Sequence, residues 1–167
     1  MPSRRVLLAC FAALPLGACG FQLRGQVTLP FHTVYVDGLP YSTLNGQLKR
    51  GIQSNGTTVS EKADDAQAVV SLLNEAQERG ILAVSAGGRV RELQLRYRVR
   101  FKVADPKGRN WLEPTEIIVQ RDMTYDDTQI LAKEGEAQML FREMQSDAVQ
   151  QVLRRIQAIR AMSEEPA

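Results

Sequence analysis

The segment Glu92-Leu93-Gln94-Leu95-Arg96-Tyr97-Arg98-Val99-Arg100-Phe101-Lys102-Val103 alternates polar and apolar side chains at every position. Because successive side chains of a β-strand point to opposite sides of the sheet, this pattern predicts a strand with one apolar face and one basic face. The apolar face requires a covering layer. Cations on the basic face are spaced about 6.6 Å apart, twice the rise per residue of a strand.

The segments around this strand predict three more strands and two helices. With the quoted strand at 90–104, strands are expected at 33–36, 66–77 and 111–125, and helices at 42–54 and from 127 or 128 to 161. Pro114 cannot donate to a ladder, so the last strand is expected either to lie at an edge or to be regular only from Thr115 onward. The order β-α-β-β-β-α predicts an α+β two-layer sandwich, with both helices on one face of a four-stranded mixed sheet.

The first 18 residues have the pattern of an export signal, with Arg4 and Arg5 before an apolar run of 11 residues. That run is far shorter than the roughly 20 residues of a membrane-spanning helix. Leu16-Gly17-Ala18-Cys19 resembles a bacterial lipobox, which implies cleavage before Cys19, a diacylglyceryl group on its thiol and an acyl chain on its amine. Several acyl chains anchor a protein durably. The alternative is an ordinary signal peptide with a chance cysteine.

These features divide the chain into a cleaved signal peptide (1–18), a lipidated tether (19–30), one globular α+β domain (31–162) and a polar tail (163–167). Gly20, in the place where an Asp resembles an inner-membrane retention signal, favours the outer membrane. Loss of Arg4 and Arg5 leaves 19 cations against 19 anions. The mature chain therefore has no net charge, and what distinguishes it is the concentration of positive side chains on one strand.

Enzyme chemistry has little support in the sequence. The single histidine, His32, and the pair Asp126-Asp127 are better explained by structural roles, the latter by helix capping. After processing, no free cysteine remains, and no cluster has the ligands of a zinc site. We therefore predict a protein that is not an enzyme, with no metal and no cofactor besides the acyl groups.

The basic face of the quoted strand has two interpretations. It is either a solvated face with acidic neighbours such as Glu75 and Glu116, or an anion-binding surface that Arg89 and Arg91 extend. Export makes nucleic acid an improbable ligand. The anions within reach are phospholipid headgroups and the phosphates of lipopolysaccharide (LPS).

Three short motifs resemble the LPS-assembly lipoprotein family (LptE). They are Cys19-Gly20-Phe21-Gln22-Leu23-Arg24-Gly25, Leu131-Ala132-Lys133-Glu134-Gly135-Glu136 and Phe141-Arg142-Glu143-Met144. The predicted order of elements matches that family over essentially the whole mature chain.

The resemblance implies a non-enzymatic outer-membrane subunit of the LPS translocon. Members of the family form a heterodimer with the β-barrel LptD, plug its lumen, assist its assembly and bind LPS. Family ligand contacts match Lys133 and, more loosely, Arg89 and Arg91, whereas Arg96, Arg98 and Arg100 are candidates from the strand pattern. The alternative is a stand-alone periplasmic carrier or chaperone for lipid or lipoprotein, which requires an enclosed apolar cavity.

Overall fold

The computed structural model describes residues 29–163. The predicted signal peptide, Cys19, most of the tether and the last four residues lie outside the described residues. The elements, in chain order, are β1 (Thr33–Asp37), α1 (Thr43–Ser54), β2 (Thr58–Ser60), β3 (Ala68–Val84), β4 (Val90–Ala104), β5 (Asn110–Thr124) and α2 (Ile130–Ser163). Short 3-10 turns lie at Ala63–Asp65 and Asp127–Gln129.

The strands form one mixed sheet in the order β2-β1-β3-β4-β5. Strand β1 is parallel to both of its neighbours, and β3, β4 and β5 form an antiparallel meander. The predicted α+β sandwich is confirmed, as is the position of β5 at an edge. The sheet has five strands, not four, because β2 was missed. Its three residues are too few to show an alternating pattern.

Strand β3 is longer than its pattern predicts and ends at Val84, not near residue 77. Glu78, Arg79 and Gly80 interrupt its apolar pattern, yet pairing with β4 continues through this segment. The connection to β4 is consequently a tight turn at residues 85–89, in which Gly88 has φ 77°. A positive φ of this kind favours glycine.

The apolar face of β4 is fully buried from Leu95 onward, as predicted, and Leu93 near its start is partly buried. This face lies in one core with α1 and with the apolar stripe of α2. The β4 residues are Leu95, Tyr97, Val99, Phe101 and Val103, and the α1 residues are Leu44, Leu48 and Ile52. Ser42 caps α1 by accepting a hydrogen bond from the amide of Leu44 at 3.1 Å.

A group of hydrogen-bonded side chains, the central polar cluster, joins both helices to the middle of the sheet. It consists of Ser42, Thr43, Glu75, Tyr97 and Gln145. The hydroxyls of Ser42 and Tyr97 donate to the two carboxylate oxygens of Glu75, and Gln145 Nε2 donates to Thr43 Oγ1 at 2.9 Å. Burial, and then the hydrogen bond to Glu75, raises the pKa of Tyr97 well above its usual range. The cluster therefore keeps the phenol protonated inside the core.

The two ends of the domain differ. The chain joins the domain at Phe31, whose ring packs edge-on against Trp111 with centroids 5.2 Å apart. Thr57, just beyond α1, donates a hydrogen bond to the carbonyl of Phe31 at 3.0 Å. This end holds the start of β1, whereas the opposite end holds the 85–89 turn and the first turns of α2.

Candidate functional site

A cleft lies at the end of the sheet that is remote from the tether, where β5 ends and α2 begins. Its volume is about 480 Å³. Its lining consists of Arg91, Glu92, Thr124, Tyr125, Asp126, Gln129 and Lys133. We call it the α2 cleft. It brings together Arg91 and Lys133, two of the predicted ligand contacts, from two separate elements.

The backbone around the cleft is held by local hydrogen bonds. The amide of Tyr125 donates to the carbonyl of Arg91 at 2.7 Å, which fixes the β5–α2 connection against β4. Asp126 Oδ1 accepts from the amide and the hydroxyl of Thr128, at 2.9 and 2.8 Å. Asp126 thus caps the 3-10 turn before α2, and the predicted capping role is confirmed.

The charges in the cleft influence one another. The hydrogen bonds from Thr128, followed by the positive charges of Arg91 and Lys133, hold the pKa of Asp126 below its usual range. Lys133 Nζ donates to Thr124 Oγ1 at 3.2 Å and to Glu136 Oε2 at 2.9 Å, and its side chain is only 17% exposed. The ammonium is therefore held in place at the wall of the cleft.

Arg91 is the second cation of the cleft. Its side chain is exposed, and among residues 29–163 it makes no ion pair within 4.0 Å. A guanidinium with free donors can bind a phosphate oxygen pair, and a positioned ammonium adds a second charge. The cleft thus brings together two cations, Arg91, unpaired in that range, and Lys133 in its ion pair with Glu136, and two carboxylates, those of Glu92 and Asp126.

The predicted row of cations on β4 lies on the opposite, uncovered face of the sheet. Arg98 is paired with Glu78 at 3.0 Å and with Glu116 at 2.8 Å. Arg96 Nε donates to Gln94 Oε1 at 2.9 Å, and Arg100 is exposed. Arg98 thus has the acidic neighbours that the solvated-face interpretation expects, and two carboxylates balance its charge.

Two details of that row differ from the expectation. Glu75 does not face Arg98, because a bulge between Leu72 and Asn74 turns its side chain toward Tyr97, and Glu78 takes its place. Arg89 and Arg91 do not extend the row. Arg89 lies exposed in the turn, and Arg91 has the strand parity of Leu93, on the helix side.

The described residues offer no other obvious chemistry. Between residues 29 and 163, no three His, Cys, Asp or Glu side chains come together as a metal site. None of the helices in that range is long and apolar enough to cross a membrane. His32 is exposed, and its amide donates to Gln67 Oε1 at 2.7 Å.

With the cleft and the fold in place, comparison with known proteins gives the family. The sequence profile of the LptE lipopolysaccharide-assembly family matches residues 31–156, most of the described domain. This chain belongs to the LptE family. Lipopolysaccharide assembly is therefore the process in which it acts.

Individual relatives agree with this assignment to the LptE family. The LPS-assembly lipoprotein LptE of Photorhabdus laumondii is 26% identical over 153 residues, which cover 90% of this chain and 83% of the relative. The protein of the same name from Yersinia pestis is 27% identical over 162 residues, covering 93% of this chain and 76% of the relative.

Solved structures show the same fold. The solution NMR structure of an uncharacterized lipoprotein B from Nitrosomonas europaea superposes with a TM-score of 0.74 at 38% identity, covering 85% of this chain and 93% of that one. The crystal structure of the rare lipoprotein B from Shewanella oneidensis gives a TM-score of 0.71 at 26% identity, covering 80% and 99%.

Sequence reasoning identified Lys133 and Arg91 separately but missed their neighbours Thr124, Tyr125 and Gln129. The available signal was the capping pair at 126–127, which marks the junction of β5 and α2. It indicates a helix start but not which strand lies beside it. All of the residues predicted to contact a ligand lie within the described part of the chain, and their roles in binding are predictions.

Proposed function

We propose that this chain is a non-enzymatic outer-membrane lipoprotein that plugs the β-barrel LptD, helps it to assemble, and binds LPS through a phosphate in the α2 cleft. The observation that carries the proposal is the meeting of Arg91 and Lys133 in one cleft. The two residues are far apart in the sequence, so the fold brings them together. Membership of the LptE family indicates that the process is LPS assembly.

The chemistry of the cleft suits a phosphate more than a carboxylate or a neutral sugar. Two cations approach from different elements, and the hydroxyl groups of Thr124 and Tyr125 provide further hydrogen bonds. Two carboxylates, Glu92 and Asp126, also line the cleft, and hydrogen bonds from Thr128 hold the second of them at the start of the helical segment. LPS, the ligand that family membership suggests, carries phosphates.

The orientation of the domain supports a plug. The tether enters at Phe31, and the cleft lies at the other end of strands that are about 50 Å long at about 3.3 Å per residue. The cleft therefore lies at the opposite end of the domain from Phe31, where the N-terminal segment joins it. The uncovered sheet face is charged and polar, as expected of a surface inside the polar lumen of a barrel.

The stand-alone carrier fits the structure less well. A carrier needs an enclosed apolar cavity, whereas the α2 cleft is open and its lining is largely polar. A second open groove, between α1 and α2, is also lined largely by polar side chains, including Gln47, Arg50 and Ser146. The plug therefore remains the better proposal.

Titration with LPS tests the binding proposal. We expect the double variant Arg91→Glu, Lys133→Glu to bind LPS about tenfold more weakly or worse, because two attractions become repulsions. The matched control is Arg96→Glu, Arg100→Glu, which makes the same change of charge on the uncovered face. Its affinity should stay within about twofold. Equal binding by wild type and the cleft variant would overturn the proposal, and a larger loss in the control would move the site to the β4 row.

The partner is tested separately by purifying the tagged, acylated protein from outer membranes. A large β-barrel in a one-to-one complex is the expected result. The matched control carries Cys19→Ala, which removes the site of lipidation and should reduce recovery from the membrane. Recovery of the acylated chain without a barrel partner would contradict the plug and favour the carrier.

A further inference from the structure

Large aliphatic side chains are exposed around the α2 cleft. Leu131 is 89% exposed and Ile81 is 64% exposed. The complete group, which we call the apolar rim, is Ile81, Leu82, Val84, Ile130 and Leu131. Exposed apolar side chains are ordinary when they are scattered, but a group at one end of a domain indicates a binding surface.

The rim adjoins the cleft on two sides. Ile81 pairs across the sheet with Leu93, two residues from Arg91. Ile130 and Leu131 lie between Gln129 and Lys133, which both line the cleft. The two parts of the rim are near each other in the fold, because Arg79, two residues before Ile81, pairs with Glu134, three residues after Leu131, at 2.7 and 2.9 Å.

Outside the rim, the large aliphatic residues that are exposed lie apart from one another. Leu73 is at a bulge in the middle of β3, Ile118 is on the uncovered face of β5, and Met139 is on the outside of α2. Isolated residues of this kind need no explanation. The group of exposed aliphatic residues at the α2 cleft does need an explanation, because these side chains lie beside cations rather than within the core.

We propose that the apolar rim binds acyl chains of the same molecule whose phosphate occupies the α2 cleft. This inference rests on the proposed function, which it extends from an anionic group to a whole amphiphile. Charge complementarity selects the occupant: the rim adjoins Arg91 and Lys133, so its ligand has a phosphorylated head beside its hydrocarbon. Each methylene group that the rim removes from water adds about fourfold to affinity.

Two probes separate the head from the chains. One is LPS, and the other is LPS stripped chemically of all its acyl chains, which keeps the phosphates and sugars. Each is titrated against the mature chain at concentrations below LPS aggregation. We expect wild type to bind LPS at least about tenfold more tightly than the deacylated probe. Added salt should strongly weaken binding of the deacylated probe, because it screens the attraction between charges. It should change the ratio of the two affinities little, because hydrocarbon contacts are not screened.

The variant Ile81→Ser, Leu131→Ser removes the two most exposed members of the rim. It should bring the ratio of the two affinities close to one and leave binding of the deacylated probe unchanged. The control Leu73→Ser, Ile118→Ser makes the same chemical change at exposed sites away from the cleft and should keep the wild-type ratio. Melting temperatures of both variants show whether they are folded.

The outcomes distinguish the two proposals. A wild-type ratio near one, or a ratio that the rim variant does not change, overturns the role of the rim while phosphate binding stands. If neither probe binds wild type, the proposed LPS binding fails and the inference fails with it. A rim variant that loses its barrel partner or its binding to phosphatidylglycerol vesicles, with the ratio unaltered, shows that the rim contacts the barrel or a bilayer instead.

Discussion

The central polar cluster and the α2 cleft contain the same kinds of group in different surroundings. Each has hydroxyls and at least one carboxylate; the cluster connects the sheet to the start of α1 and α1 to α2, and the cleft connects β5 to α2. In the cluster, Tyr97 is fully buried and Gln145 is 5% exposed. In the cleft, Arg91 is exposed and free of ion pairs among the described residues. Polar groups that are satisfied and buried stabilise the fold, whereas charges left accessible are available to a ligand.

The cause of the difference is the length of α1. Its 12 residues cover about 18 Å at 1.5 Å per residue, whereas the 17 residues of β3 extend about 55 Å. Ser42, at the start of α1, contacts Glu75 in the middle of β3. Beyond that point the helix side of the sheet is covered only by the first turns of α2. The cleft and the apolar rim lie in the part that α1 does not reach.

The largest change in stability is expected from a substitution in the part of the sheet that α1 covers. Leu48→Ala removes a fully buried side chain of α1 and should lower the free energy of unfolding by about 2–5 kcal/mol. Denaturant unfolding measures it. Leu73→Ala, the same change at a 41% exposed site, should cost less than about 0.5 kcal/mol. Similar losses for the two variants would mean that the helix layer does not cover the sheet as described.

A smaller effect is expected in the central polar cluster. Tyr97→Phe leaves a Glu75 oxygen without its donor and should lower the free energy of unfolding by about 1–3 kcal/mol. The exposed Tyr41→Phe is the matched control and should have little effect. Calorimetry at neutral pH compares both variants with wild type. If Tyr97→Phe is as stable as wild type, the cluster does not stabilise the fold.

The same tyrosine gives a pH dependence. The folded state raises the pKa of Tyr97, so its contribution is complete below about pH 10, the pKa of an unfolded tyrosine, and declines as the pH rises above it. The difference in stability between wild type and Tyr97→Phe should therefore shrink above about pH 10. A difference that is constant up to about pH 11 would contradict the protonated, buried phenol.

The smallest change in stability is expected at the cleft. Asp126→Ala removes the acceptor for two hydrogen bonds from Thr128 at an exposed site, so the fall in melting temperature should be less than that of Tyr97→Phe. The folded state lowers the pKa of Asp126. Its contribution is thus complete above about pH 4 and is lost as the pH falls further.

The control for this last experiment is Asp126→Asn, which keeps an oxygen acceptor but does not titrate in this range. The advantage of wild type over Asp126→Ala should narrow toward about pH 3, whereas the advantage of Asn over Ala should not. If the melting temperatures of wild type and Asp126→Asn change with pH in the same way, the charge of Asp126 does not contribute to the cap.

Local patterns predicted most of the fold. Alternation from Glu92 to Val103 gave β4 and its two faces, and the helical patterns at 42–54 and from 127 or 128 to 161 gave the two helices to within a few residues. What the patterns missed was non-local. Strand β2 forms because β1 offers an edge, and β3 continues to Val84 because β4 pairs with it through Gly80. Pairing of this kind stabilises segments whose own sequences do not indicate a strand.

The candidate site divides in the same way. The sequence by itself determined the kinds of charge, the neutrality of the mature chain and the alternation that puts Arg98 on the face opposite Leu93. Only the tertiary structure decided on which side Arg91 lies and which charged groups become neighbours. It placed Glu78 and Glu116 beside Arg98, and Lys133 beside Arg91. Neighbours across a sheet or between layers depend on register, bulges and helix length, and these are set by packing of the whole domain rather than by any one segment.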